Sequence, residues 1–148
     1  MWISNKTDYA TRAVLALAVA DGTPLKSREI ALRTGIPGSF LEQIMGQLRG
    51  AGIVRSQRGP SGGYKLNHPA AEITLEKVVR LFQGPLAPIA CATRNSPEPC
   101  QMDPGCSLKH TWEEVRDATL TILERTTFAD LARRASGPWL EIAPHRRT

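Results

Sequence analysis

The stretch from Ser27 to Asn67 constrains the fold more than any other part of the chain. Ser27 is a good cap for a short helix, REIALRTG, with Ile30 and Ala31 turned inward and Gly35 as its C-terminal stop. Pro37-Gly38-Ser39 opens the next helix, FLEQIMGQLRGAG, whose apolar positions Leu41, Ile44, Met45 and Leu48 recur at helical spacing. Gly50 or Gly52 ends it. A helix, a tight glycine-containing turn and a second helix form a helix-turn-helix pattern. IVRSQRG then alternates apolar and polar residues, PSGG supplies a turn, and YKLN returns. A basic hairpin directly after a helix-turn-helix describes a winged helix. The predicted fold class is therefore mainly α, with a β-hairpin wing and a long C-terminal dimerisation helix.

The flanks read as further helices. One begins near Thr7, as N-cap, and runs through DYATRAVLALAVA to Asp21-Gly22, with Tyr9, Ala13, Leu17 and Ala20 on one face. TLEKVVRLFQG is capped by Thr74 and closed by Gly84. A long helix runs from about Leu108 to Arg125, and Thr127 caps a last one, FADLARRA. On the long helix Trp112, Val115, Thr119 and Ile122 recur every three or four residues, forming either an internal core face or a dimer seam. The seam is the expectation, because helix-turn-helix proteins usually read paired half-sites. The predicted organisation is a DNA-binding domain over 1–84, a cysteine loop over 85–107, the dimerisation helix and short helix over 108–135, and a tail over 136–148 whose end is poorly ordered.

Between these helices lie the only three cysteines of the 148 residues, Cys91, Cys100 and Cys106, within a stretch too rich in Pro, Gly, Asn and Ser for regular structure. The N-terminus lacks the apolar core of a signal peptide, and no stretch approaches the ~18 apolar residues of a membrane span, so a cytoplasmic protein is expected. In that reducing compartment, an odd number of thiols points to metal ligation or reversible thiol chemistry rather than structural disulfides. Thiolates suit iron–sulfur clusters and zinc alike, but the paired C-x2-C or C-x4-C knuckles of zinc sites are missing. A cluster, zinc and a cluster-free dithiol switch all remain open on the residues alone.

The net charge is +5, and Lys26, Arg28, Arg33, Arg49, Arg55, Arg58 and Lys65 fall in the first 65 residues beside four acidic ones. That distribution suits a polyanion. On the second helix of the pair, Ser39, Glu42 and Gln43 are candidates for base edges or phosphates in the major groove. Arg58 at the hairpin tip is the candidate for the minor groove. The adjacent glycines of RGPSGG, with Gly59, would let the backbone approach a phosphate. Arg28, Arg49, Arg55 and Lys65 are candidate phosphate contacts. The chain shows no nucleophile–base pairing or phosphate loop, and His68, His110 and His145 share no motif, so no enzyme is expected.

KTDYATRAVLALA, then SFLEQIMGQLRGAGIVRSQRGPSGGYKL, then the cysteines, then TFADLARR resemble the Rrf family of bacterial transcription regulators. The most specific string is LEQ followed by LR-x-x-G-[IL]-V-x-S-x-RGP-x-GGY, from Leu41 to Tyr64, and the resemblance covers residues 3 to about 135. It implies a homodimeric winged helix on an operator in double-stranded DNA. It also implies a two- or four-iron cluster on Cys91, Cys100 and Cys106, with repression controlled by nitric oxide, oxygen or iron. By the same resemblance the fourth ligand is Asp8, within TD-x-A-x-R, or His110, four residues after the last cysteine, or else solvent or a small thiol. The spacing C-x8-C-x5-C has a longer first gap than the iron–sulfur-assembly and nitric-oxide branches, adding RNSPEP.

Overall fold

A computed structural model describes residues 3–95 and 97–142, the last three by backbone alone. Among these residues six α-helices and one hairpin follow in order: α1 Asn5–Val19, α2 Ser27–Thr34, α3 Gly38–Gly50, β1 Val54–Gln57, β2 Gly63–Leu66, α4 Leu75–Gln83, α5 Ser107–Arg125 and α6 Phe128–Arg134. Short 3-10 helices occupy Ala70–Glu72, Ala90–Ala92 and Gly137–Ile142. This is a winged helix-turn-helix. Among the described residues no helix is long and apolar enough to cross a membrane. The expectation of disorder at the tail falls on 143–148, which lie outside the described residues.

The helix ends follow cap chemistry, with two differences from the sequence expectation. The cap of α1 is Ser4, whose hydroxyl accepts from the Thr7 N–H at 3.1 Å. Thr7 lies one turn inside and fully buried, because its own hydroxyl donates to Gln83 Oε1 at 2.8 Å. That bond, with the Ser4 N–H to the same oxygen at 3.1 Å, fastens the start of α1 to the end of α4. Ser27 is the first residue of α2 rather than its cap. The cap is Lys26, whose backbone N–H donates to the Glu29 carboxylate at 2.8 Å. Thr74 caps α4 and Thr127 caps α6, as expected.

The apolar faces meet in one main core. Ala10, Ala13, Val14 and Leu17 of α1 pack with Ile30, with Leu41, Ile44, Met45 and Leu48 of α3, with Ile53 and Val54, and with Ile73 and Val78. Burial of the Val, Leu, Ile and Met side chains among them stabilises by roughly 1.5–3 kcal/mol each. Phe128 of α6 is also fully buried in this core, so the chain returns to it after α5. A smaller cluster of Val79, Leu86 and Leu120 joins α4, the start of the cysteine loop and α5. The Leu75 N–H to the Thr126 carbonyl at 2.8 Å and the Phe128 N–H to the Ile73 carbonyl at 2.9 Å bind the α5–α6 junction to the entry of α4.

The wing pairs antiparallel, Val54 opposite Leu66 through Gln57 opposite Gly63. Its double glycine has a steric cause. A Cβ on Gly62 would lie 2.2 Å from the Gln57 carbonyl oxygen, and one on Gly63, at φ +150, 2.5 Å from that of Leu25. Tyr64 and Leu25 exchange backbone hydrogen bonds at 2.7 and 2.9 Å, which draws the hairpin against the α1–α2 connection.

Candidate nucleic-acid interface and cysteine loop

Helix α3 is amphipathic, and its orientation follows from what it buries. Leu41, Ile44, Met45 and Leu48 face the core, which turns Ser39, Glu42, Gln43 and Arg49 to solvent. Gln47, one turn beyond Gln43, is exposed as well and was absent from the sequence-based set; the four-residue spacing was its signal. Phe40 is exposed on the same helix and meets Tyr9 edge-on at 6.0 Å. Arg28 is exposed on α2, and Arg55, Arg58 and Gly59 on the wing, while Lys65 is half-buried. Among the described residues none of these basic groups forms an ion pair with a carboxylate, although Arg12, Arg80, Arg94 and Arg116 all do. Unpaired cations flanking one polar helix face suit phosphates on either side of a groove. Of the tip glycines, Gly59 keeps open space around it, whereas Gly62 is closed off by the wing's own backbone and Gly63 by the backbone of Leu25 and Lys26.

The cysteine loop is anchored unevenly. Leu86 and Ala92 are buried, and Cys91 is half-buried in the turn Ala90–Ala92. The Ala90 carbonyl accepts from the Thr93 hydroxyl at 3.1 Å and the Glu98 N–H at 3.3 Å. Cys106, half-buried, is the N-cap of α5, while Cys100 is exposed between them. All three thiols are free. Lys109, one turn into α5, pairs with Asp103. The hydrogen bond that Lys109 donates to the Asp103 carboxylate holds its ammonium above the ordinary lysine range, against some desolvation. Among the described residues no three His, Cys, Asp or Glu side chains are grouped closely enough to hold a metal ion.

The two candidate fourth ligands sit apart. Asp8, in the first turn of α1, pairs with Arg12 at 2.7 Å and is about half exposed. His110 is 79% exposed on α5, with Nδ1 3.6 Å from Glu113. Along α5, Leu108, Trp112, Val115 and Ile122 are exposed at 64, 36, 43 and 52%. Thr119 is half-buried and donates to the Val115 carbonyl at 2.8 Å.

The sequence matches a family of iron-dependent transcriptional regulators, Rrf2, over residues 3–134. The chain belongs to the Rrf2 family. It is a DNA-binding transcription regulator and not an enzyme. A helix-turn-helix transcriptional regulator of Mycobacterium tuberculosis is 39% identical over 134 residues, covering 89% of this chain and 81% of that one. CymR of Bacillus subtilis is 32% identical over 138 residues, covering 93% of this chain and 94% of its own. The structure of CymR, described as the global cysteine regulator of B. subtilis, superposes with a TM-score of 0.80 at 31% identity, over 92% of this chain and 99% of that chain. T. potens IscR superposes with a TM-score of 0.74 at 28% identity, over 92% and 89%.

Within this Rrf2 chain, sequence reasoning missed the polar groups that fasten the cysteine loop. Arg116 Nη1 donates to the Ala92 carbonyl at 2.6 Å, and Arg94 of the loop donates to Asp117 of α5 at 3.1 Å. Their partners are 23 or 24 residues away, beyond any spacing rule.

Proposed function

We propose that the chain is a homodimeric repressor whose affinity for a DNA operator is set by the state of Cys91, Cys100 and Cys106, through an iron–sulfur cluster of two or four irons. The carrying observation is three free thiols on one loop whose ends are built into α4 and α5. The donor chemistry fits the group: three soft thiol sulfurs, none in a disulfide, two of them half-buried. The grouping is incomplete, since no three such ligands are gathered among the described residues, and the loop must close to bring the thiols together. Asp8 of a second copy would complete the set, or His110 one turn beyond Cys106. When bound, the cluster would supply iron open to nitric oxide, oxygen or loss. The rest is the work of the chain. Gathering the thiols tightens residues 91–106 on α5, and the Val79–Leu86–Leu120 contact passes the change to α4 and the DNA-reading lobe.

On DNA, α3 enters the major groove with Ser39, Glu42 and Gln43 near base edges, and Arg58 with Gly59 follows the minor groove. Arg28, Arg49, Arg55 and Lys65 take phosphates. The exposed apolar stripe Leu108, Trp112, Val115 and Ile122 forms the seam between two copies. A second reading is a metal-free thiol regulator or a zinc-stabilised one. It is favoured by the ungrouped donors and by the similarity to CymR, a cysteine regulator. Anaerobic purification with iron, sulfide and zinc analysis separates the readings. A brown protein that loses its charge-transfer absorption in any single Cys→Ala variant, with its helical signal intact, supports the cluster. Colourless protein without iron overturns it in favour of the second reading.

A further inference from the structure

The turn that carries Cys91 is held on α5 by side chains that neither DNA reading nor ligation uses. Arg116 reaches from α5 to the loop, with Nη1 2.6 Å from the Ala92 carbonyl oxygen, and its Nε and Nη2 donate to the Asp117 carboxylate at 2.9 and 3.2 Å. Arg94 reaches the other way, from the loop to Asp117 at 3.1 Å and to Glu124 at 3.7 Å. Two arginines pointing in opposite directions meet on one carboxylate.

Their contributions differ in kind. Arg94, Asp117 and Glu124 are each about half exposed, and such surface pairs contribute roughly 0–1 kcal/mol. The Arg116 side chain is 11% exposed, and its bond ends on the carbonyl of a fully buried alanine. A charged donor on a buried carbonyl is worth more, and removing it leaves that carbonyl without its partner. Ala92 directly follows Cys91, so the bond acts one residue from the thiol. Leu120, one turn beyond Arg116, belongs to the small core shared with α4. A continuous path therefore runs from the Cys91 turn through Ala92 and Arg116 into α5, and from Leu120 to α4. Cys100 is exposed, and Cys106 caps α5 without needing a side-chain clamp.

We propose that Arg116 is a positioning residue that fixes Cys91 to α5 and makes that thiol the one whose chemical state is transmitted to the helix. The anchoring half stands on geometry alone; the transmission half rests on the thiol-control reading given above.

The test uses the full chain, reduced and stripped of metal, so it does not depend on a cluster. The rate of N-ethylmaleimide labelling is read at each cysteine by mass spectrometry. In Arg116→Met, Cys91 should be labelled about tenfold faster relative to Cys100, as expected for loss of one charge-assisted bond. Arg116→Lys, which keeps a cationic donor, should restore part of the difference. An unchanged Cys91-to-Cys100 ratio overturns the anchoring. If the methionine variant unfolds, Arg116→Gln carries the same reading. For transmission, Cys91 is alkylated in a Cys100→Ser, Cys106→Ser background, and affinity is measured for a duplex selected from a random pool by the reduced protein. Alkylation should change affinity several-fold with Arg116 present and leave it unchanged in Arg116→Met. An equal change in both overturns the transmission. If alkylation changes nothing even with Arg116 present, the thiol-control reading fails, and the transmission with it, while the labelling ratio still decides the anchoring.

Discussion

At the scale of single residues, the chain separates groups that hold the fold from groups left available. Arg58 is exposed, pairs with no carboxylate among the described residues and stands at the wing tip. Arg58→Ala should weaken binding to a selected duplex by about 1–3 kcal/mol if it reads a base step, with the fold and the cysteine loop untouched. Equal affinity at fixed salt would reduce the wing tip to a loop. Asp8 and His110 are tested against each other in the same way. The ligand's Ala variant should shift the visible spectrum of the anaerobic protein and its rate of bleaching by nitric oxide, and the other should not. Removing Asp8 also takes a carboxylate from the first turn of α1, costing only about 0.3–1 kcal/mol at so exposed a position. These candidates were legible because their types and neighbours are local in the sequence. The Arg116 bond to Ala92 was not, since nothing near either residue announces a partner so far along the chain.

At the scale of elements, caps and turns explain both the successes and the two shifts. Thr74 and Thr127 cap helices whose next residues turn into the core, and local pattern sufficed. Thr7 looked like a cap by the same rule, but the bond to Gln83 draws it inward and Ser4 takes the role. In α6 the Thr127 N–H donates to the Asp130 carboxylate and the Asp130 N–H to the Thr127 hydroxyl, both at 3.1 Å. The Thr127 backbone bond, then its hydroxyl, and the facing Arg133 hold the Asp130 carboxyl below the usual carboxylate range. A depressed folded value means stabilisation present above the unfolded value near ~3.9 and lost as pH falls through the lowered one. The melting-temperature advantage of the native chain over Asp130→Asn should therefore shrink on acidification from pH 5, and an advantage independent of pH would refute the assignment. In the wing, Gly63→Ala drives a methyl into the Leu25 carbonyl at a φ that L side chains rarely adopt. It should lower stability by about 1–3 kcal/mol and weaken DNA binding by tilting the hairpin. Thermal melts and duplex titration read both effects.

At the scale of the whole molecule, the main core and the winged helix were legible from apolar periodicity, because α1, α3 and α4 each bury one regular face. The return of α6 to that core was not, since FADLARR reads alike whether it packs on α5 or on α1. The α5 stripe is exposed in a single chain and is the proposed seam. Replacing Val115 and Ile122 together by Glu should cost several kcal/mol of association. Sedimentation should then give monomers, and an unaltered dimer would relocate the interface.

The cysteine segment begins where the Thr7–Gln83 bond fastens α4 to α1 and ends where Cys106 starts α5, so both of its ends are pinned. The entropy of closing such a span grows only with the logarithm of its length, about 0.6 kcal/mol for each doubling. The inserted RNSPEP is therefore nearly free in stability. The reach and exposure of Cys100 can be retuned by lengthening or shortening this span, leaving α3 and the wing on the DNA as they were.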